Sequence, residues 1–309
     1  MLQQKINTNK IRKEPVYQAK SNHFRRTDFI PYIFISPFFI MFMIFMLYPI
    51  MYSLVLSFCK WSSSKMNFVG FQNYKRLLTD DVFLKALINT GEILLIQVPV
   101  MLLLATLIAV MVNSQLLKCK TFFRTSFFLP VLIDLVTYSL VFSLLFNENY
   151  GLINQGIKFL GAQPIGWGTN AIWAKLMVII AITWRWTGYN SVIILSGLQI
   201  IPSELYEAAS IDGASSAVIF FKITIPQLKP VLLFCMILST IGTLKLFVEP
   251  YMLTRGGPNN GTLTVMYYLY DTAFGSFNFG LASAGAYIVT ILIAILSYFQ
   301  MRLSKGGEN

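Results

Sequence analysis

Four charged residues interrupt otherwise apolar stretches of this chain: Asp134, Arg185, Lys245 and Glu249. A charge in hydrocarbon is expensive, so such residues are candidates for lining a polar pathway or for pairing with one another. Lys245 and Glu249 stand one helical turn apart, a spacing that predicts an ion pair on one helix face. Two readings of that pair stand: a structural contact facing a second membrane chain, or a cavity wall where both groups bond hydroxyls. Arg185 and Asp134 are expected near span ends, where their side chains can snorkel to water. The run Trp184-Arg185-Trp186-Thr187-Gly188-Tyr189-Asn190 sets aromatic faces beside an amide. Sugars present weakly apolar ring faces rimmed by hydroxyls, which aromatic platforms, amides and carboxylates can hold weakly enough to release. The candidate substrate-path residues are therefore Trp184, Trp186, Tyr189 and Asn190, with Lys245, Phe247 and Glu249; an aromatic belt at the membrane interface is the competing reading.

The parts of an enzyme are missing from this pattern. A P-loop cradles phosphate on a Gly-rich turn ahead of a Lys, and no Gly-Lys pair occurs in the sequence. The single histidine, His23, lies in a basic tail, and Cys59, Cys119 and Cys235 stand apart from one another. Neither a metal site nor a disulfide framework is implied. No catalytic residue, metal or cofactor of its own is expected, so any energy for work must come from a partner.

The elements that would position these residues follow from composition. The chain is 56% hydrophobic and 12% charged, whereas soluble domains carry about a quarter charged residues; it belongs in a bilayer. Its net charge of +11 does not imply nucleic acid, because seven of its 24 cations (Lys5, Lys10, Arg12, Lys13, Lys20, Arg25 and Arg26) lie in the first 26 residues. That tail reads as a topology signal, and the apolar stretch after it is too long for a cleavable signal peptide. A crossing helix needs roughly 20 apolar residues. Six segments qualify, at about 29–58, 93–112, 125–146, 176–198, 231–253 and 281–299, the fourth interrupted at its centre by the aromatic run. The class is an all-α polytopic membrane protein: a basic tail (1–28), a membrane domain (29–302) and a short C-terminal segment (303–309). With six spans and the basic tail inside, the inner segments carry fourteen Lys and Arg and the outer loops eight. Both termini are expected in the cytoplasm.

Between spans four and five lies a cytoplasmic loop, 199–229, longer than a helix connection requires. Pro202-Ser203 offers a start signal, Glu204 and Glu207 favour the first turns, and a helix is predicted over 203–210. Gly213 permits a sharp turn, and 214–221 can form a second helix, which Pro226 and Pro230 should stop before span five. The product is either a protruding knob for a partner or an amphipathic hairpin on lipid headgroups.

Glu207-Ala208-Ala209, followed by Asp212-Gly213-Ala214 and Ile225-Pro226, resembles the EAA loop of binding-protein-dependent ABC import permeases. The likeness continues through Ser36-Pro37, Tyr48-Pro49, Ser57-Phe58, the run from Phe68 to Tyr74, and Thr254-Arg255-Gly256-Gly257-Pro258, which are similar to permeases of the lactose, glycerol-phosphate and multiple-sugar type. The resemblance implies the six-helix type I importer permease fold, in a bacterial cell membrane. It implies that Glu207 and Asp212 make polar contacts to a cytoplasmic ATPase dimer, that Gly213 supplies the turn, and that Ala208, Ala209 and Ala214 permit close approach. It further implies a second homologous permease, an external solute-binding protein, surrounding lipid, a carbohydrate substrate, and ATP with Mg bound by the ATPase. Two other classes remain from the residues alone: a proton-coupled transporter using the intramembrane carboxylates, and a membrane scaffold whose loop binds a regulator.

Overall fold

The computed structural model describes residues 30–62, 65–114 and 117–305. The basic tail with its seven cations and His23, and residues 306–309 of the C-terminal segment, lie outside the described residues. The chain forms two compact units, Met1–Met51 and Tyr52–Asn309.

Helix α1 (Ile30–Phe42) passes through a wide π turn (Met43–Leu47) into α2 (Tyr48–Ser57). The turn has a local cause. Pro49 has no amide hydrogen, and its ring would collide with the carbonyl four residues back in a regular helix. Tyr48 instead donates its amide to the Met43 carbonyl, five residues back, which widens the turn just ahead of the proline. The same device recurs at Phe220–Thr224, where Ile225 donates to the Phe220 carbonyl immediately before Pro226.

A two-stranded antiparallel ribbon, β1 (Cys59–Ser62) and β2 (Lys65–Phe68), precedes the short helix α3 (Gln72–Leu78). The long α4 (Asp81–Asn113) starts on Asp80, whose carboxylate accepts from the amides of Val82 and Phe83. Then follow α5 (Lys120–Leu132), α6 (Leu135–Leu145), α7 (Leu152–Phe159) and α8 (Ala171–Leu198). The connection to the next span carries α9 (Ser203–Ile211) and α10 (Ser216–Ile219), leading through the second π turn into α11 (Ile225–Leu244). Last come α12 (Val248–Leu253), α13 (Val265–Tyr270), a π turn (Asp271–Gly275) and α14 (Phe279–Lys305).

Among the described residues five helices are long and apolar enough to cross a membrane: Pro31–Ser57, Asp81–Asn113, Ala171–Leu198, Ser216–Leu244 and Phe279–Arg302; α5 and α6, bent by 98°, make a sixth when counted as one span. The core of the second unit is α8, which packs along α4, α5 and α11. Small residues make this possible: Ala105 and Ala109 of α4 meet Ile194 and Leu198 of α8 and Leu228 of α11, all fully or nearly fully buried.

Three expectations are corrected. Span four is not broken, because α8 is continuous through the aromatic run. Its polar groups are satisfied within the helix: the Thr187 hydroxyl donates to the Thr183 carbonyl at 2.6 Å, Ser191 to Gly188 at 2.7 Å and the Asn190 amide to Trp186 at 3.0 Å. Low hydropathy at that point reflects side chains, not an opened backbone. The break falls instead in span three, at Ile133-Asp134. Nor do Pro226 and Pro230 end a loop helix; the π turn absorbs the first and both sit inside one helical run, Ser216–Leu244.

Gly188 is where α5 and α8 meet backbone to backbone: a Cβ there would overlap the carbonyl oxygen of Phe127. Gly188→Ala is therefore expected to force the helices apart at a cost of about 1–3 kcal/mol. A lower unfolding midpoint of the purified protein in detergent checks this, and an unchanged midpoint refutes it.

Candidate functional site

The break between α5 and α6 leaves backbone groups open on both sides, and the chain closes them with two of the four charges singled out by sequence. Asp134 caps the new helix, accepting from the amides of Val136 and Thr137 at 2.9 and 3.1 Å. Arg185, buried on α8, donates to the carbonyls of Ile133 at 2.6 Å and Val131 at 3.1 Å. Arg185 is buried and does not snorkel as expected, whereas Asp134 is exposed at the break. Arg185 reaches sideways because carbonyls stripped of helical partners lie within its span, and the Ile133 and Asp134 backbone is extended there. Its guanidinium also lies over the Tyr138 ring, 4.7 Å from the centroid, which a planar cation favours.

A second break separates α11 from α12. Lys245 caps the C-terminus of α11, and the buried Thr264 hydroxyl takes the freed carbonyl of Leu246 at 2.7 Å. The interruption removes the one-turn relation between Lys245 and Glu249, so the expected ion pair does not form. Glu249 is instead buried, accepting a 2.5 Å hydrogen bond from the Tyr138 hydroxyl. Lys245 has no side-chain hydrogen bond or ion pair among the described residues, where the one ion pair is Lys175 with Glu92. The buried chain Arg185, Tyr138, Glu249 thus ties the broken third span to the short helix α12.

Beside this chain lies a cavity of about 680 Å³ within the second unit. Trp186, Tyr189, Asn190, Lys245, Phe247 and Glu249 all line it, six of the seven substrate-path residues. Trp184 does not; it packs on the rings of Phe142 and Tyr138, with centroids 5.2 and 6.5 Å away. Sequence reasoning missed Gln97 and Thr243, lining residues joined by a buried hydrogen bond of 3.0 Å. Gln97 carried a readable signal, an amide inside the apolar run of α4. Tyr138 did not, since only the meeting of α6 with α12 gives it a carboxylate partner. No cluster of His, Cys, Asp and Glu among the described residues could hold a metal ion.

The 199–229 segment carries its six marked residues at the surface. Glu207, Ala208, Asp212 and Gly213 are exposed, Ala209 and Ala214 are half-buried, and α9 buries no side chain. Gly213, at φ +73°, closes α9 with a Schellman motif: its amide donates to the Ser210 carbonyl, and that of Ala214 to Ala209 at 2.9 Å. Ile211, 86% exposed, projects beside this turn.

Helices kinked around a largely apolar and aromatic cavity with a few polar groups, with an exposed helical knob before the penultimate span, define a membrane transport subunit. The chain belongs to the family described as binding-protein-dependent transport system inner membrane component, which it matches over residues 24–306. It is 43% identical over 292 residues to the lactose transport system permease protein LacF of Rhizobium radiobacter, covering 93% of this chain and 98% of that one. It is 35% identical over 290 residues to the arabinooligosaccharides transport system permease protein AraP of Halalkalibacterium halodurans, covering 92% of each. Its fold matches a chain in the crystal structure of a bacterial ABC transporter involved in the import of the acidic polysaccharide alginate. The TM-score is 0.80 at 21% identity, over 92% of this chain and 97% of that chain. Family membership selects the binding-protein-dependent class over a proton-coupled carrier or a scaffold, and makes this a multi-pass membrane protein.

Removing the first or the middle member of the buried chain leaves polar groups without partners. Arg185→Met is expected to destabilise by about 2–5 kcal/mol and Tyr138→Phe by about 1–3 kcal/mol, read as loss of unfolding midpoint in detergent. An Arg185→Met protein as stable as the parent rules out the clamp.

Proposed function

We propose that this chain is the membrane-spanning subunit that passes a sugar or oligosaccharide from an external binding protein into the cytoplasm, driven by a separate ATPase. The observation that carries the reading is the cavity. Two aromatic side chains of α8 and an amide, marked for sugar chemistry, converge on one space with a phenylalanine and with a lysine and a carboxylate marked as intramembrane charges. Such pockets, mostly apolar with a few placed polar groups, bind small solutes. The lactose and arabinooligosaccharide relatives bear names of the same substrate class. Trp184, outside the lining, acts by holding Tyr138 and Phe142 rather than by touching substrate.

The 203–214 knob is the ATPase contact in this reading. Exposed Glu207 and Asp212 offer charges, Ala208 and Ala209 permit close approach, and Ile211 is an apolar anchor too exposed to serve the chain's own packing. The sequence has no Gly-Lys pair of a P-loop, and in this reading ATP and Mg belong to the partner ATPase dimer. A second homologous permease closes the open side of the cavity, and the knob and both termini face the cytoplasm.

Two experiments test this. Proteoliposomes holding the complete transporter and its binding protein are offered labelled lactose, maltooligosaccharides and arabinooligosaccharides; ATP-dependent accumulation of a sugar is expected. Accumulation that persists without the ATPase and binding protein, or of none of these sugars, overturns the reading. In the knob, Gly213→Pro imposes a negative φ and removes the amide that bonds Ser210. It is expected to abolish co-purification with the ATPase while membrane insertion persists, and normal co-purification sinks the docking role.

A further inference from the structure

Next to the cavity, five aromatic rings form a contiguous cluster, in which Phe247 also meets Tyr267 at 5.9 Å and Tyr251 meets Tyr270 at 6.1 Å. Tyr267 of α13 meets Tyr251 of α12 at 5.3 Å between centroids, Tyr251 meets Phe247 at 5.4 Å, Phe247 meets Tyr270 at 4.5 Å, and Tyr270 meets Phe274 at 5.2 Å. Phe247, Tyr270 and Phe274 line the cavity, whereas Tyr251 and Tyr267 lie beyond its lining. The far end abuts the 254–264 segment, where Gly256 lies against Tyr267.

These rings are not packed as core. Tyr251 is 39%, Tyr270 42% and Phe274 59% exposed. Two neighbouring tyrosines of the unit have hydroxyl partners: Tyr138 has Glu249 and Tyr268 has Asp80. The hydroxyls of Tyr251, Tyr267 and Tyr270 have none among the described residues, so each keeps both its donor and its acceptor for a ligand. Burial, with Tyr251 and Asp271 close by, pushes the Tyr267 phenol above its ordinary range. A belt facing lipid would have no reason to turn three of five rings to the cavity.

We propose that Tyr251, Tyr267 and Tyr270 form an approach subsite, continuous with Phe247 and Phe274 of the cavity, that takes the second and later rings of a linked glycan. Apolar ring faces stack on the aromatic faces while the open phenols bond the equatorial hydroxyls. The cluster carries the aromatic surface from Phe274 in the cavity to Tyr251 and Tyr267 beyond its lining, so the later rings of a linked glycan meet aromatic faces there that a monosaccharide held in the cavity leaves unused. The site rests on the sugar reading above and adds to it a preference for chain length.

The complete transporter in proteoliposomes carries the test, with the maltose-to-maltopentaose and arabinobiose-to-arabinotetraose series and lactose as probes. Tyr251→Leu and Tyr267→Leu keep an apolar side chain and are expected to raise KM about tenfold for the longest accepted sugar. The shortest accepted sugar should change less than about twofold and kcat should hold, while Tyr251→Phe and Tyr267→Phe recover part of the loss by restoring the ring. Unchanged KM in both leucine variants, with normal uptake by the parent, overturns the subsite alone. An equal loss for every sugar length, tracking the amount of protein in the membrane, assigns the rings to the lipid interface and also overturns it. A parent transporter that accumulates no sugar overturns the sugar reading itself and the subsite with it.

Discussion

Hydrocarbon offers no water to a stray carbonyl or amide, so every interruption of a membrane helix must be closed by the protein itself. This chain interrupts one span and breaks its helix again just past the end of another, and it closes each break with side chains. At Ile133-Asp134 the open amides go to Asp134 and the open carbonyls to Arg185. At Lys245-Leu246 the open carbonyl goes to Thr264. Such repairs demand buried polar atoms, and those atoms need further partners in turn. Tyr138 under the Arg185 guanidinium, and Glu249 on the Tyr138 hydroxyl, are the result.

The repairs lie beside the cavity, because α6 packs against α12 and both flank it. A carboxylate held by a phenol can exchange that hydrogen bond for one from a solute hydroxyl without being left bare. Lys245, capping α11 with its ammonium free among the described residues, is positioned to donate without competing with Glu249. Most of the remaining lining is apolar or aromatic, which suits brief binding and release. In the proposed importer, affinity resides in the binding protein and the membrane subunit offers a surface from which sugars leave readily.

The knob follows a different logic. Its shape is local: a capped nine-residue helix, a left-handed glycine and a short second helix starting on Ser215. Few contacts within the chain hold it apart from the hydroxyls of Tyr206 and Thr224, 3.3 Å apart. Since α11 continues from α10 through a π turn without a break, a push on the knob in the proposed complex passes along one helical run toward Lys245.

The sequence by itself determined the membrane class, the family, the 203–214 knob, both of the cavity's charged residues and three of its six aromatic ones. These are carried by composition, by motif spacing and by side-chain chemistry, properties that do not depend on which helix lies beside which. Tertiary structure alone decided where helices break and who answers each break. The Trp184 to Asn190 run lowers hydropathy as a broken helix would, yet its hydroxyls and amide bond their own turns and α8 stays whole. Span three reads as continuous, yet opens because Arg185 lies within reach of its carbonyls from another helix. Lys245 and Glu249 look paired by spacing, yet a helix end between them sends Glu249 to a tyrosine 111 residues away in the chain. Hydrogen bonds between elements so far apart have no periodicity to read, and they exist only once packing has brought the helices together.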